Sequence, residues 1–165
     1  MHRSVSMLVA VLFCLGLSFH PARSALAAGA VEMQVERIVN QMVDAYNEAM
    51  ESGDAEVWLK YFADNVRRRD PIASQRGRKE FNAYYAWEFK EFKAKCEVKK
   101  MIVMGRSAAV MYTGEGTQRA SETDVKVDMV AVFELGSSGR FEEAAFFYDT
   151  GKAGKLIAQA REAAK

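Results

Sequence analysis

The chain has 165 residues, of which 50% are apolar and 27% are charged, and its formal net charge is +1. This composition is typical of one folded domain and excludes a disordered chain, a collagen-like repeat and a disulfide-rich miniprotein. Its 23 basic and 22 acidic residues nearly balance, so no excess of positive charge favours nucleic acid or an anionic membrane as a partner.

The first 27 residues have the three-part pattern of a secretory signal peptide. A basic start precedes an apolar stretch over residues 7–19, Pro21 ends that stretch, and small residues lead up to Ala27. Thirteen helical residues span only about 20 Å, which is too short for a bilayer core of about 30 Å. We therefore predict cleavage after Ala27, one mature domain over 28–165, and a periplasmic or secreted location with no membrane association.

Cleavage would limit the chemistry that the mature chain can perform. Both histidines, His2 and His20, and one of the two cysteines, Cys14, lie within the signal segment. Histidine-based triads, most zinc sites and an intramolecular disulfide are then excluded. Cys96 has no histidine to activate it, which favours a structural strand residue over a nucleophile. We expect neither a metal nor another cofactor.

The first half of the mature chain has helical periodicity. Apolar residues recur at three-four spacing over 32–52, Gly53 ends this helix, and Asp54 caps a short second helix. Residues 65–70 form an extended segment, because a residue that precedes proline avoids the helical conformation. A third helix is predicted over 78–95.

After the third helix the apolar period changes to two. This period predicts strands over 96–104, 108–117, 123–135 and 140–148, followed by a last helix from Lys152 to the end. Helices followed by strands predict an α+β fold in which three N-terminal helices cover a curved antiparallel sheet. Such a cone encloses an apolar pocket that suits a small hydrophobic molecule.

The apolar residues on both faces of the third predicted strand indicate a contact with a second copy of the chain. Val130 and Val132 lie on the face opposite Met129, so both faces of this strand are apolar. Three helices cover only one face of a sheet, and we therefore predict a homodimer through the other face.

The third predicted helix is rich in aromatic residues, with six in the range 81–92. Two interpretations are open: a core face with a dimer contact, or the wall of a pocket for a flat apolar ligand. The predicted ligand contacts are Trp58, Phe62, Phe81, Tyr85, Trp87, Met129 and Tyr148.

Three aspartates are candidate acids or bases. Asp70 ends the extended segment beside the aromatic helix, and a carboxylate in such a place can remove a proton alpha to a carbonyl. Alternatively, Asp70 caps the turn at Pro71 or pairs with one of the arginines at 67–69. Asp128 and Asp149 are possible additional acids. Alternatively, Asp128 is a surface residue and Asp149 caps the helix that follows the last strand.

Five segments carry a resemblance to a known family: 46–54, 61–66, 70–71, 77–81 and 139–149. They resemble the nuclear transport factor two-like superfamily, in particular its SnoaL-like and ketosteroid isomerase-like branch. The resemblance covers nearly all of the mature chain and implies a cone-shaped, cystatin-like α+β barrel. The superfamily contains isomerases, cyclases, epoxide hydrolases, dehydratases and binding-only proteins, so the fold alone does not specify a reaction.

The resemblance also implies roles for individual residues. Tyr46 takes the place of the tyrosine that donates to the substrate oxyanion, and Asp70 takes that of the general base. The isomerases' third group, a protonated aspartic acid, falls on Met129, with Asp128 beside it; an epoxide hydrolase-like site would use Asp149. The resemblance implies a protein that binds a small hydrophobic molecule, with isomerase- or cyclase-like proton transfer by a carboxylate. The alternative is a non-catalytic ligand-binding or dimerisation module.

Overall fold

A computed structural model of the protein describes residues 21–154. Most of the predicted signal peptide, and most of the last helix that was predicted from Lys152 to the end, lie outside the described residues. A short π-helical turn, Thr150–Gly154, follows the last strand. Within the described range, no helix is long and apolar enough to cross a membrane.

Residues 21–154 contain three α-helices: α1 over Pro21–Ser52, α2 over Glu56–Leu59 and α3 over Gly77–Glu91. Helix α1 ends where the sequence predicts, because Gly53 adopts a positive φ of 79° and donates its N–H to the carbonyl of Ala49. Helix α2 is only one turn long.

The remaining elements form one curved, open sheet. Its strands are β1 (Phe62–Arg69), β2 (Ser74–Arg76), β3 (Phe92–Met104), β4 (Ser107–Gln118), β5 (Thr123–Leu135) and β6 (Phe141–Tyr148). The spatial order is β2-β1-β6-β5-β4-β3. The predicted α+β cone is confirmed with one correction: the sheet is mixed, because β1 and β6 run parallel while all other pairs are antiparallel.

Helix α3 ends four residues earlier than the sequence predicts. Residues 92–95 instead pair with residues 115–118 of β4. Phe92 is buried and Lys93 is exposed, so the two-residue period already begins here. The backbone hydrogen bonds of these residues are therefore made with β4 and not within a longer helix.

The curvature of the sheet creates a concave face that α1 and α3 cover. Register shifts interrupt β3 between Val98 and Lys100, and the β5–β6 pairing between Glu134 and Leu135. Bulges of this kind bend a strand and increase its twist. The core lies between the helices and the concave face, where Val110, Phe133 and Phe141 are among the residues buried.

The convex face of the sheet carries an apolar patch. Met111, Val130 and Phe147 form one row across β4, β5 and β6, and Ile102 and Val132 lie in the next row. Of these side chains, Ile102 is 57% exposed and Phe147 is 52% exposed. Val130 and Val132 thus lie on the face of β5 that points away from the helices, opposite Met129, as the sequence predicts.

Candidate functional site

A cavity of about 140 Å³, partly open to solvent, lies between α1, α3 and the concave face of the sheet. Ten aromatic side chains line it: Tyr46, Trp58, Tyr84, Tyr85, Trp87, Phe92, Tyr112, Phe133, Phe146 and Tyr148. The sheet adds small residues, Ala94, Gly114 and Gly116, which leave space along the wall. Concave, mostly apolar sites with a few polar groups are typical of small-molecule binding.

One carboxylate lies among the aromatic walls of this cavity. Glu88, on α3, accepts a hydrogen bond from Tyr46 Oη at 2.6 Å and another from the hydroxyl of Tyr84. Burial raises the pKa of Glu88, and the charge of Arg68 and the two hydroxyls oppose this rise only in part. The other acidic residue of the lining, Glu115, is exposed and forms an ion pair with Lys126.

The position of Tyr46 follows from how α1 attaches to the sheet. The next residue, Asn47, donates from Nδ2 to the carbonyl of Cys96 at 3.0 Å, and its Oδ1 accepts the Cys96 N–H at 2.7 Å. The Tyr46 ring packs edge-on against Trp58 and Phe89, with ring centroids 5.7 Å and 5.5 Å apart. These contacts fix the direction in which the Tyr46 hydroxyl points.

A buried arginine forms another part of the cavity wall. Arg68 shares the inward face of β1 with Val66, and its Nε donates to Tyr85 Oη at 3.0 Å. Its guanidinium carbon lies 3.9 Å from the centre of the Tyr84 ring, which is cation–π distance. Arg68 Nη2 is 2.7 Å from Asp70 Oδ2, and this pair neutralises a charge that is otherwise costly to bury.

The structure does not bring the two predicted catalytic residues together. Tyr46 lines the cavity, whereas Asp70 is not among its lining residues although its partner Arg68 is. The Oδ1 atom of Asp70 also accepts the backbone N–H groups of Ile72 and Ala73, at 2.9 Å and 2.7 Å. Asp70 therefore both caps the turn at Pro71 and pairs with an arginine, which are the two structural roles predicted from the sequence as alternatives to a general base.

The predicted ligand contacts divide into two groups. Five of them line the cavity: Trp58, Tyr85, Trp87, Met129 and Tyr148. Phe62 and Phe81 do not, because they are fully buried in the core and pack on each other with ring centroids 4.7 Å apart.

The two additional candidate acids lie outside the cavity. Asp128 is on the exposed face of β5, where its Oδ1 accepts from Thr113 Oγ1 at 2.5 Å. Strand alternation places it on the side opposite Met129. Asp149 is exposed, and its Oδ1 accepts the Gly151 N–H at 2.7 Å at the start of the final turn.

Sequence reasoning missed Glu88 and Arg68. Glu88 lies four residues after Tyr84 and therefore shares the face of α3 that carries the buried aromatic residues. An acidic residue on such a face was the signal in the sequence that could have identified Glu88. Arg68 lies two residues after buried Val66, so strand alternation was the signal that it points inward.

The cavity also contains the thiol of Cys96. Burial raises the pKa of Cys96 to about 12, so this thiol stays protonated at neutral pH and is a poor nucleophile. Across residues 21–154, no group of three or more His, Cys, Asp or Glu side chains is placed to hold a metal ion.

The curved, open six-stranded sheet with helices across its concave face is the cone-shaped fold of nuclear transport factor two-like proteins. A sequence model of the SnoaL-like domain matches residues 43–144. The chain belongs to the SnoaL-like domain family. A comparison with proteins of curated function gave no match.

Solved structures share this fold at low sequence identity. The epoxide hydrolase/cyclase-like enzyme SalBIII, described for pyran ring formation in the polyether salinomycin, is 24% identical with a TM-score of 0.64, over 72% of this chain and 92% of that one. A SnoaL-like protein from Jannaschia sp. CCS1 is 21% identical with a TM-score of 0.65, over 88% and 96%. A protein of ketosteroid isomerase-like fold from Catenulispora acidiphila DSM 44928 is 16% identical with a TM-score of 0.59, over 72% and 91%.

Proposed function

We propose that the protein binds a small, largely apolar ketone in its cavity and transfers a proton at the carbon next to the carbonyl group. The observation that carries this proposal is the position of Glu88, a carboxylate of raised pKa inside an aromatic cavity, held by the hydroxyls of Tyr46 and Tyr84. Desolvation makes a carboxylate a stronger base, and perturbed groups in clefts are typical of proton-transfer sites.

The proposed reaction needs no redox partner. Ionised Glu88 removes a proton from the carbon alpha to the carbonyl, which forms the carboxylic acid and an enolate. The acid then returns the proton to a carbon of the enolate, so the number of electrons and protons is conserved. The enolate oxygen needs a donor, and Tyr112 lines the cavity with a hydroxyl whose pKa is raised by burial and which therefore stays protonated.

In this proposal Asp70 is a positioning residue. It neutralises and orients Arg68, whose guanidinium packs on the ring of Tyr84. The sequence-based prediction that Asp70 itself is the base remains the rival within the same reaction class, and the two are separated by substituting each carboxylate in turn.

Deuterium exchange into cyclohex-2-enone, followed by NMR in heavy water, tests the proposal. Glu88→Gln should slow exchange by about 100-fold or more, because a general base contributes that much, while binding is retained. Glu115→Gln is the matched control, since Glu115 lies at the exposed edge of the same cavity. Binding by the wild type without exchange would contradict the enzymatic proposal and support a non-catalytic ligand-binding module.

We also propose that the protein is a homodimer through the convex face of the sheet. The support is the apolar patch of Met111, Val130, Val132 and Phe147, which the helices within residues 21–154 do not cover. Patches of this kind on a soluble protein mark interfaces.

Finally, we propose that the protein is exported to the periplasm or the medium. The support is the signal-peptide pattern of residues 1–27. N-terminal sequencing of the exported protein should begin at Ala28, and recovery of intact Met1 in a membrane fraction would contradict the proposal.

A further inference from the structure

We infer that Gly114 sets the size of the ligand and that the ligand is a ketone with a single ring. The ketone part of this inference rests on the proposed function, while the size limit rests on the geometry of the cavity wall.

Gly114 lies on the inward face of β4, between Cys96 on β3 and Val127 on β5. A Cβ atom built on it would lie 3.6 Å from Met129 Cε and 3.8 Å from Cys96 Sγ, which are ordinary van der Waals distances. Its φ is outside the left-handed range that favours glycine. Neither strain nor a close backbone approach therefore requires glycine here, and its effect is to leave open space in the cavity wall.

Gly116, two residues later, shows the contrast. A Cβ atom there would lie 2.3 Å from the Lys93 carbonyl oxygen and 2.6 Å from Ala94 Cα. Because these are backbone atoms of the neighbouring strand, Gly116 is required for β3 and β4 to approach each other. The two glycines face the same cavity, but only Gly114 is free to carry a side chain.

The volume of the cavity limits what occupies this space. The cavity measures about 140 Å³, and an engineered protein cavity of about 150 Å³ binds benzene. One ring therefore fills the enclosed part of the cavity, and a second ring would have to extend into the part that is open to solvent. Tyr112 is two residues before Gly114 on the same face, about 6.6 Å along the strand. Tyr112 and Gly114 therefore line neighbouring parts of the same cavity wall, and a ring packed over Gly114 lies beside Tyr112.

The test compares two ketones, cyclohex-2-enone with one ring and 1-tetralone with two, by NMR titration. We expect the wild type to bind cyclohex-2-enone about tenfold more tightly, although 1-tetralone is the more apolar compound. Gly114→Ala should weaken cyclohex-2-enone binding by about tenfold, because it overpacks a filled cavity. Gly29→Ala is the control, since a Cβ atom there meets nothing within 4 Å.

Thermal unfolding of each variant shows whether it is folded, and the comparison of the two ketones on the wild type tests the size limit without a variant if Gly114→Ala is not folded. Binding of 1-tetralone to the wild type as tightly as cyclohex-2-enone would overturn the size limit, and so would unchanged affinity in folded Gly114→Ala. If the wild type binds neither ketone and catalyses no exchange, the proposed function fails and the inference fails with it. Exchange together with equal binding of both ketones overturns the size limit alone.

Discussion

The hydroxyl of Tyr46 donates to Glu88 Oε1 at 2.6 Å and so joins α1 to α3 across 42 residues of sequence. Both side chains line the cavity, together with Arg68 and Tyr84, which also stabilise the negative charge of Glu88. The bond stabilises the ionised form of Glu88 and lowers its pKa against the opposing effect of burial. Together with burial and the charge of Arg68, a residue of a different helix therefore contributes to the basicity of Glu88.

Replacing Tyr46 should change the pH dependence of proton transfer. Tyr46→Phe removes a hydrogen bond to the carboxylate, so the pKa of Glu88 should rise further. Since the base must be ionised, the midpoint of the acidic limb of the exchange rate should move to higher pH. Tyr61→Phe serves as control because Tyr61 does not line the cavity. A midpoint that stays fixed or moves to lower pH would show that Glu88 is not the titrating base.

Removing the charge of Asp70 should destabilise the fold. Asp70→Asn keeps an oxygen that can accept from Ile72 and Ala73 but leaves buried Arg68 without its anion. Loss of one partner from a buried pair costs about 3 kcal/mol, which urea unfolding at neutral pH can measure. Glu143→Gln breaks the exposed pair with Arg67 and should cost less than about 1 kcal/mol. Equal losses in the two variants would contradict the structural role of the Arg68–Asp70 pair.

The two cavity glycines of β4 should differ in stability when substituted. Gly116→Ala forces its methyl group against the backbone of β3 and should lower the free energy of unfolding by about 2 kcal/mol. Gly114→Ala meets only side-chain and carbonyl atoms at contact distance and should be tolerated. Urea unfolding of both variants checks this, and the reverse order would show that β3 and β4 do not approach each other closely at Gly116.

A charge on the convex face should dissociate the proposed dimer. Val132→Lys places an ammonium group in the apolar patch, whereas Ser138→Lys adds the same charge in a distant exposed turn. Light scattering of the mature protein should give a dimer for the wild type and for Ser138→Lys, and a monomer for Val132→Lys. A monomeric wild type at micromolar concentration would rule the interface out.

The sequence predicted the fold far better than the chemistry of the site. Helix periodicity up to Gly53 and the two-residue period through β5 are local signals, and they predicted α1 from residue 32 onward and most of the long strands, whereas α1 in fact begins at Pro21. The parallel pairing of β1 with β6 is not local, because it joins Arg67 to Glu143, which are far apart in the sequence. The pattern of residues around either position does not indicate which strand is the partner. The three-residue strand β2 is too short for a periodic signal.

The sequence predicted a residue of the candidate site correctly only where the pattern of its own helix or strand was enough to place the side chain. Tyr46 lies on the apolar face of α1 and its place in the cavity follows from that face. Asp70 was selected by its position before proline, but its ion pair depends on which of three consecutive arginines points inward. Glu88 was missed because its partner Tyr46 comes from a helix that only the tertiary fold brings close.

The most direct test of the account compares Glu88→Gln with Asp70→Asn in deuterium exchange into cyclohex-2-enone. Both variants are assayed under the same conditions at a temperature where circular dichroism shows each to be folded. We expect Glu88→Gln to slow catalysed exchange by about 100-fold or more, while folded Asp70→Asn retains it. Exchange that survives in Glu88→Gln and disappears in folded Asp70→Asn would contradict the role of Glu88 and identify Asp70 as the base.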